Sequence, residues 1–283
     1  MKTITDTFQL HNGVAIPCVG YGTYLIPNDE TYVAVSEAIK AGYRHIDTAA
    51  FYQNEAGVGR AIRESGISRK DLFVTSKVWN SDRGYEKTKA AFAKTMDALD
   101  LEYLDLYLIH WPANQKQFGD SANALNAETW RALEELYSQG KVKAIGLSNF
   151  LQHHIDELME SAKIKPMVNQ IEFHPGWAQL EVVKYCQQHD IVVEAWSPLG
   201  RKEALDNEVI KEIARKYDKQ AAQVCLRWVL QHNVLPLPKS STPSRMTANT
   251  QLFDFELTAE EMKTIDALKN LGGQCALPDE VDF

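Results

Sequence analysis

Cysteine is scarce in this 283-residue chain, and its four copies, Cys18, Cys186, Cys225 and Cys275, stand far apart with no C-x-x-C pair. A disulfide framework is therefore not expected, and a reducing, cytoplasmic compartment is. No apolar run approaches the ~20 residues needed to cross a bilayer. Residues 1–7 lack the apolar core of a secretion signal. Positive charge is also short: 30 Lys and Arg against 38 Asp and Glu leave a net charge of −8. That balance disfavours nucleic acid or an anionic membrane as a partner. No H-x-H strand end accompanied by further ligands occurs, so no metal is expected. No G-x-G-x-x-G follows the first strand pattern. The nearest approach, Gly57-Val58-Gly59, sits inside a helical pattern and reads as helix–strand packing. No Pro/Gly-rich linker or low-complexity stretch divides the chain, so residues 1–283 are read as one domain and as a monomer.

What is present is ordinary globular material, 45% hydrophobic and 24% charged, long enough to bury a large core. Phe8-Gln9-Leu10, a His11-Asn12-Gly13 turn and Val14 to Pro17 predict a hairpin, because Asn-Gly favours tight turns. From residue 19 a regular alternation begins. Strands are expected near 19–23, 43–47, 72–77, 104–110, 142–147, 167–171, 191–196 and 234–238. Helices are expected near 29–41, 55–64, 85–99, 127–139, 152–161, 178–189, 208–217 and 220–231. Strands alternating with helices give a parallel sheet. Eight such units in about 250 residues fit a closed (β/α)8 TIM barrel. The hairpin then plugs one end, and the C-terminal tail is free to act as a substrate loop.

One stretch concentrates chemistry. Tyr43 to Tyr52 starts as a strand, ends it at Asp47, and carries a phenol five residues later. The next two strands end in Lys77 and His110. On a barrel rim these four side chains can converge. Alternation along 104–110 puts Leu106, Leu108 and His110 on one face. A phenol titrates near 10, so Tyr52 needs a cation nearby to act as a proton donor at working pH. Lys77 is that cation, Asp47 its counter-ion, and neutral His110 a hydrogen-bond donor to a carbonyl oxygen. Taken singly, each has a plainer reading as a packing, surface or core residue. His45 shares the Asp47 face one layer down and reads as core; His153 and His154 open a helix and read as solvated.

Beyond this stretch come Gly146-Leu147-Ser148-Asn149-Phe150, Asn169-Gln170-Ile171-Glu172, Ser197-Pro198-Leu199-Gly200 and Pro238-Lys239-Ser240, following Asp47-Thr48-Ala49, Ser76-Lys77 and Ile109-His110-Trp111-Pro112. This ordered set resembles the aldo-keto reductases, in particular the bacterial branch with glyoxal/methylglyoxal and 2,5-diketo-gluconate reductases. The resemblance implies NADPH-dependent reduction of small aldehydes and ketones, with Asp47, Tyr52, Lys77 and His110 catalytic. It implies cofactor contacts from Gly22, Thr23, Asp47, Ser148, Asn149, Gln170, Trp196, Ser197, Leu199 and Gly200. It assigns the 2′-phosphate to Lys239, Ser240, Ser241, Thr242 and Arg245, and the adenine side to Asn249. That segment's two cations, three hydroxyls and expected helix start near Ser244 also suit an anion by composition. Ser148 and Asn149 could instead cap a helix, Trp196 could be core, and the basic segment could be an ordinary exposed loop. Tyr24, Tyr52, Trp79, His110 and Trp111 are expected to ring the substrate, with residues 113–126 and 272–283 setting specificity. A non-catalytic cofactor-binding barrel, or a dehydrogenase working toward oxidation, stays open at this point.

Overall fold

A computed structural model describes the chain from Met1 to Phe283. It opens with antiparallel strands β1 (Thr7–Gln9) and β2 (Ala15–Pro17), in which Phe8 pairs with Ile16 and both are buried. Asn12 holds the turn: its oxygen accepts from the Val14 amide at 3.1 Å, and its amide donates to the Lys143 carbonyl at 3.0 Å. His11 reaches the Lys165 carbonyl at 3.1 Å. Lys143 and Lys165 both precede barrel strands, so the hairpin closes the N-terminal end and leaves the C-terminal end open.

The barrel strands are β3 (Tyr21–Gly22), β4 (His45–Asp47), β5 (Phe73–Val78), β6 (Leu106–Ile109), β7 (Ile145–Ser148), β8 (Val168–Glu172), β9 (Val192–Trp196) and β10 (Leu235–Pro236). They pair in chain order, all parallel. The seam closes where Gly20 donates to the Pro236 carbonyl at 3.0 Å and Gly22 to that of Pro238 at 3.2 Å. A Cβ at Gly20 would stand 2.4 Å from the Leu237 side chain and 2.7 Å from His45 Nδ1, so closure needs glycine there. Strands β3 and β10 are shorter than expected because Pro236 and Pro238 offer no amide to the ladder.

Seven of the expected helices appear as Asn28–Lys40, Glu55–Glu64, Tyr85–Leu99, Gln152–Met159, Leu180–Gln188, Glu208–Lys216 and Ala221–Gln231. The eighth starts earlier than its pattern, at Ala122, and runs to Ser138. Tyr107 meets Phe92 of helix Tyr85–Leu99 edge-on, 5.2 Å between rings. Tyr107 therefore faces outward, and Leu106, Leu108 and His110 face the barrel axis. The pair Gly57 and Gly59 is packing: a Cβ at Gly59 would fall 1.9 Å from the Leu99 carbonyl, and one at Gly57 2.8 Å from Thr31.

Candidate active site

Strand register brings the chemistry together. Gly22 pairs with Asp47, Asp47 with Thr75, and Lys77 with Leu108, so Asp47 and Lys77 lie near one level at the open end. Lys77 is fully buried, and its Nζ donates to Asp47 Oδ1 at 2.7 Å, Asp47 Oδ2 at 2.8 Å and the Thr48 carbonyl at 3.0 Å. The Tyr52 hydroxyl is 3.5 Å from the same nitrogen. Burial alone pushes the Lys77 ammonium down; Asp47, Tyr52 and Glu194 outweigh it, and the net direction is up. Lys77 is therefore a fixed cation. Tyr52 departs from the sequence-based expectation. Burial pushes its phenol up to about 12, with Lys77 pulling down and Asp47 pushing up. Lys77 moderates the phenol without bringing it to working pH. His110 lies well below its ordinary value, first through burial and then through Lys77 and Arg83, and is neutral. Its Nδ1 is buried without a partner. The ring proton is thus better placed on Nε2, where a carbonyl oxygen in the cavity can accept it.

A second polar layer sits beneath. Gln170 Nε2 donates to Asp47 Oδ2 at 2.8 Å and to Glu194 Oε2 at 2.8 Å. Both amide hydrogens are thereby committed to carboxyl oxygens, which fixes the side-chain flip and leaves the Gln170 side-chain oxygen Oε1 free. His45 is buried as expected, but among polar groups: Nε2 meets Thr75 Oγ1 at 3.0 Å and Glu194 Oε1 at 3.8 Å. Burial holds His45 neutral, down to about 3. Burial, then Asp47, pushes Glu194 up to about 8. The folded chain thus holds a proton on Glu194 that the unfolded chain releases above about 4.5. That cost is absent below 4.5 and grows until pH 8. Glu194→Gln should therefore stabilise the fold by roughly 3 kcal/mol at pH 7 and by nearly nothing at pH 4. Urea unfolding of both proteins across that range checks it; an equal difference at both pH values would exclude a protonated Glu194.

Above this floor opens a cavity of ≈ 660 Å³ lined by Tyr24, Phe51, Tyr52, Trp79, His110 and Trp111 on one side and by Ser148, Asn149, Gln170, Trp196, Ser197, Leu199 and Lys239 on the other. Gly22 and Asp47 also face it. Ser148 and Asn149 are not helix caps, because the helix begins at Gln152. Instead Ser148 Oγ donates to the main-chain carbonyl of Gln170 at 2.8 Å. Asn149 Nδ2 donates to the His110 carbonyl at 2.9 Å, and its oxygen accepts from Trp196 Nε1 at 2.8 Å. Trp196 is half-buried and held ring-out toward the cavity, not packed in the core. Thr23 is not presented: it is fully buried and its hydroxyl donates to the Asp47 carbonyl at 3.0 Å. Gly200 is buried and is not among the lining residues. Ser240, Ser241, Thr242 and Arg245 continue outward from Lys239 on a largely exposed segment, and Asn249 is buried beyond it.

Leu25, Phe51, Pro198, Arg201, Lys202 and Leu237 also line the cavity without having been expected as site residues, and Gln274 and Phe283 were expected only as part of the 272–283 tail. Arg201 and Lys202 add two cations beside Leu199, on left-handed backbone at φ 52° and 88°. Phe283 lies parallel to Trp79 at 6.0 Å and edge-on to Trp111 at 5.4 Å. Gln274 completes the rim. The tail is pinned by the 113–126 segment: Asn114 donates to the carbonyls of Pro278 and Val281 at 2.8 and 2.9 Å, and Gln117 to that of Phe283 at 2.9 Å. His154, read as solvated, is buried. Its Nδ1 accepts from the Leu151 amide at 3.2 Å, and burial lowers it to about 4.

A parallel (β/α)8 barrel with a buried lysine–aspartate pair, a phenol and a neutral imidazole under an aromatic cavity defines an enzyme site built to protonate a carbonyl oxygen. The family model for the aldo/keto reductase family matches residues 19–270, and the chain belongs to that family of oxidoreductases. It is 52% identical to a glyoxal reductase of Bacillus subtilis, covering 99% of each chain. It is also 52% identical, over 93% of each, to a 9,11-endoperoxide prostaglandin H2 reductase of Trypanosoma cruzi. Among solved structures, MGS-M4, an aldo-keto reductase from a deep-sea metagenome library, superposes with a TM-score of 0.91 at 43% identity, covering 98% of this chain and 100% of that one. A mutant of Gox0644 in complex with NADPH gives 0.90 at 38% identity over the whole of both chains.

Proposed function

We propose that this chain reduces small aldehydes and ketones, 2-oxoaldehydes such as methylglyoxal foremost, to alcohols with NADPH, and that Tyr52 is the proton donor. One observation carries the reading: a buried ammonium locked by Asp47 lies 3.5 Å from the Tyr52 hydroxyl at the floor of an open aromatic cavity. The residues present fit a pyridine dinucleotide laid across the barrel mouth. Trp196 offers a ring face, the free Gln170 side-chain oxygen and Ser148–Asn149 offer amide partners, and Arg201, Lys202 and Lys239 offer charge for phosphates. NADPH held there would supply the hydride for the carbonyl carbon. His110 donates to the carbonyl oxygen and orients it. Tyr52 transfers its proton to that oxygen, and Lys77 stabilises the tyrosinate left behind. Phe51, Trp79, Trp111 and Phe283 exclude water and prefer small, weakly polar carbonyls over charged metabolites.

The same reading makes the chain a cytoplasmic monomer. Its four cysteines are free thiols, three of them buried, and light scattering in solution tests the oligomeric state. Loss of absorbance at the NADPH band on adding methylglyoxal or a nitrobenzaldehyde tests the activity. Lys239→Ala should weaken NADPH about tenfold to 100-fold while changing NADH little, since only the former carries the 2′-phosphate. Equal effects on both cofactors would remove Lys239 from that contact.

A further inference from the structure

Where the tail crosses the cofactor end of the barrel, three donor atoms converge away from the proton-donor centre. Glu172 ends β8, His174 follows it, and Cys275 comes from the tail. One ligand atom from each of Glu172, His174 and Cys275 lies within 4.8 Å of the other two, and His174 Nε2 stands 3.6 Å from Glu172 Oε1. Glu172 and His174 are buried, and Cys275 is half-buried, which leaves an entry path.

The hydrogen-bond pattern fixes the role of each side chain. His174 Nδ1 is 2.9 Å from the Pro175 carbonyl, which can only accept, so Nδ1 carries the proton. Nε2, whenever it carries no proton, offers a lone pair. It is buried, has no partner, and stands 3.6 Å from Glu172 Oε1, another lone-pair atom. The carboxylate is oriented from behind: Oε1 accepts from the Gln274 amide at 2.6 Å and Oε2 from the Cys275 amide at 2.7 Å. A ring anchored through Nδ1–H to a carbonyl, and a carboxylate anchored by amides, are the supports that metal ligands ordinarily have. The other histidine–carboxylate cluster, His153, His154 and Asp279, lacks this pattern. There His154 Nδ1 accepts from the Leu151 amide, so Nε2 carries the proton and donates it to Asp279 at 3.0 Å.

We propose that Glu172, His174 and Cys275 form a binding site for a borderline-soft divalent cation of the Zn²⁺ class, coordinated by oxygen, nitrogen and sulfur with a fourth position open to water. Tetrahedral Zn²⁺ bonds of about 2.0–2.3 Å set ligand atoms roughly 3.3–3.8 Å apart. The oxygen–nitrogen separation already fits, and a small inward movement of the tail brings in the sulfur. Ca²⁺ and Mg²⁺, which want oxygen ligands throughout, are excluded by the donor set. Binding is balanced as follows: the Cys275 S–H, now donated to the Gly272 carbonyl at 3.3 Å, is lost as a proton to solvent, and a sulfur–metal bond replaces it. Two ligand anions then neutralise the dication.

The consequence rests on the function proposed above. Gln274, next to the sulfur, lines the cavity, and Gly272 packs against Gly200 so closely that a Cβ there would fall 2.1 Å from the Gly200 carbonyl. A cation would therefore staple the tail beside the cofactor end of the cavity and slow NADPH exchange. The site itself is read without turnover. Co²⁺ added to the reduced full chain should give sulfur-to-cobalt charge-transfer absorbance and the visible bands of a four-coordinate site, with proton release. Zn²⁺ titrated by calorimetry should bind once per chain and displace the cobalt spectrum. Cys275→Ser should abolish the charge-transfer band and weaken Zn²⁺ about 100-fold, and His153→Ala should leave both unchanged. No charge-transfer band in the parent, a band that survives Cys275→Ser, or loss of binding in His153→Ala would each overturn the proposal. Failure of methylglyoxal reduction would leave these spectra untouched and would count against the activity alone.

Discussion

Tyr52→Phe lowers kcat by about 10²–10⁴ and leaves NADPH binding within a factor of two or so, because one positioned proton donor is worth that much. The substitution removes one oxygen, and the Lys77–Asp47 pair below it keeps three hydrogen bonds. Structure and cavity shape should therefore persist. The high phenol value sharpens the expectation. A group pushed up to about 12 by burial is protonated throughout pH 6–9, so reduction by the parent should be flat across that range. The reverse oxidation needs the phenolate and should rise with pH, about tenfold per unit, until another group intervenes. Stopped-flow single turnovers in both directions measure this. A variant that keeps most of its kcat, or a reductive rate that drops between pH 7 and 9, would take the proton donor away from Tyr52.

Much of the scaffold was legible because hydrophobic periodicity and glycine punctuation are local signals. The helices Glu55–Glu64 and Tyr85–Leu99 fall where the pattern puts them. The errors have local causes too. Residues 113–126 read as a polar, irregular loop, yet Asn126 is buried in the helix, accepting from the Ala113 amide at 2.7 Å and donating to the Ala113 carbonyl at 3.0 Å. A tertiary partner overrode composition. Helix Ala259–Asp266 carried a readable start: Thr258 and Glu261 form a reciprocal cap, with 3.2 and 2.8 Å bonds.

The site divides in the same way. Asp47, Lys77, Tyr52 and His110 were legible because strand ends share one rim in a barrel. Glu194 was not. A carboxyl in Val-Val-Glu-Ala-Trp breaks a buried-strand pattern, and only the approach of Gln170 and His45 from other strands explains it. Arg201-Lys202 beside Leu199-Gly200 offered a signal in the adjacent charges. Phe283 was legible only as part of the 272–283 tail, since its place depends on Asn80 and Gln117 gripping its carbonyl at 3.0 and 2.9 Å.

The deepest dependence is that of the fold on the Lys77–Asp47 pair, and removing one half should cost more than removing both. Asp47→Ala leaves a fully buried ammonium with only the Thr48 carbonyl and the Tyr52 hydroxyl. Breaking a buried pair in this way costs about 3–5 kcal/mol, whereas an apolar replacement of both partners is often near neutral. Asp47→Leu with Lys77→Met should therefore be the more stable protein, although both variants lack the proton-transfer machinery. The pH dependence gives the sign. In the parent, Lys77 is raised, so its contribution is whole below the unfolded value near 10.4 and is lost only as pH climbs through the folded one. Without Asp47, burial wins and the folded value drops below the unfolded one. The unfolded chain then binds more protons, and the stability of Asp47→Ala recovers as pH rises toward 10, by up to about 1.4 kcal/mol per unit. The double variant has no such group and should show no recovery. Urea midpoints at pH 7 and 9.5 for the three proteins decide the matter. A single variant as stable as the double one at pH 7, with no gain at 9.5, would mean that the ammonium is not held by Asp47 and that the barrel floor tolerates it unpaired.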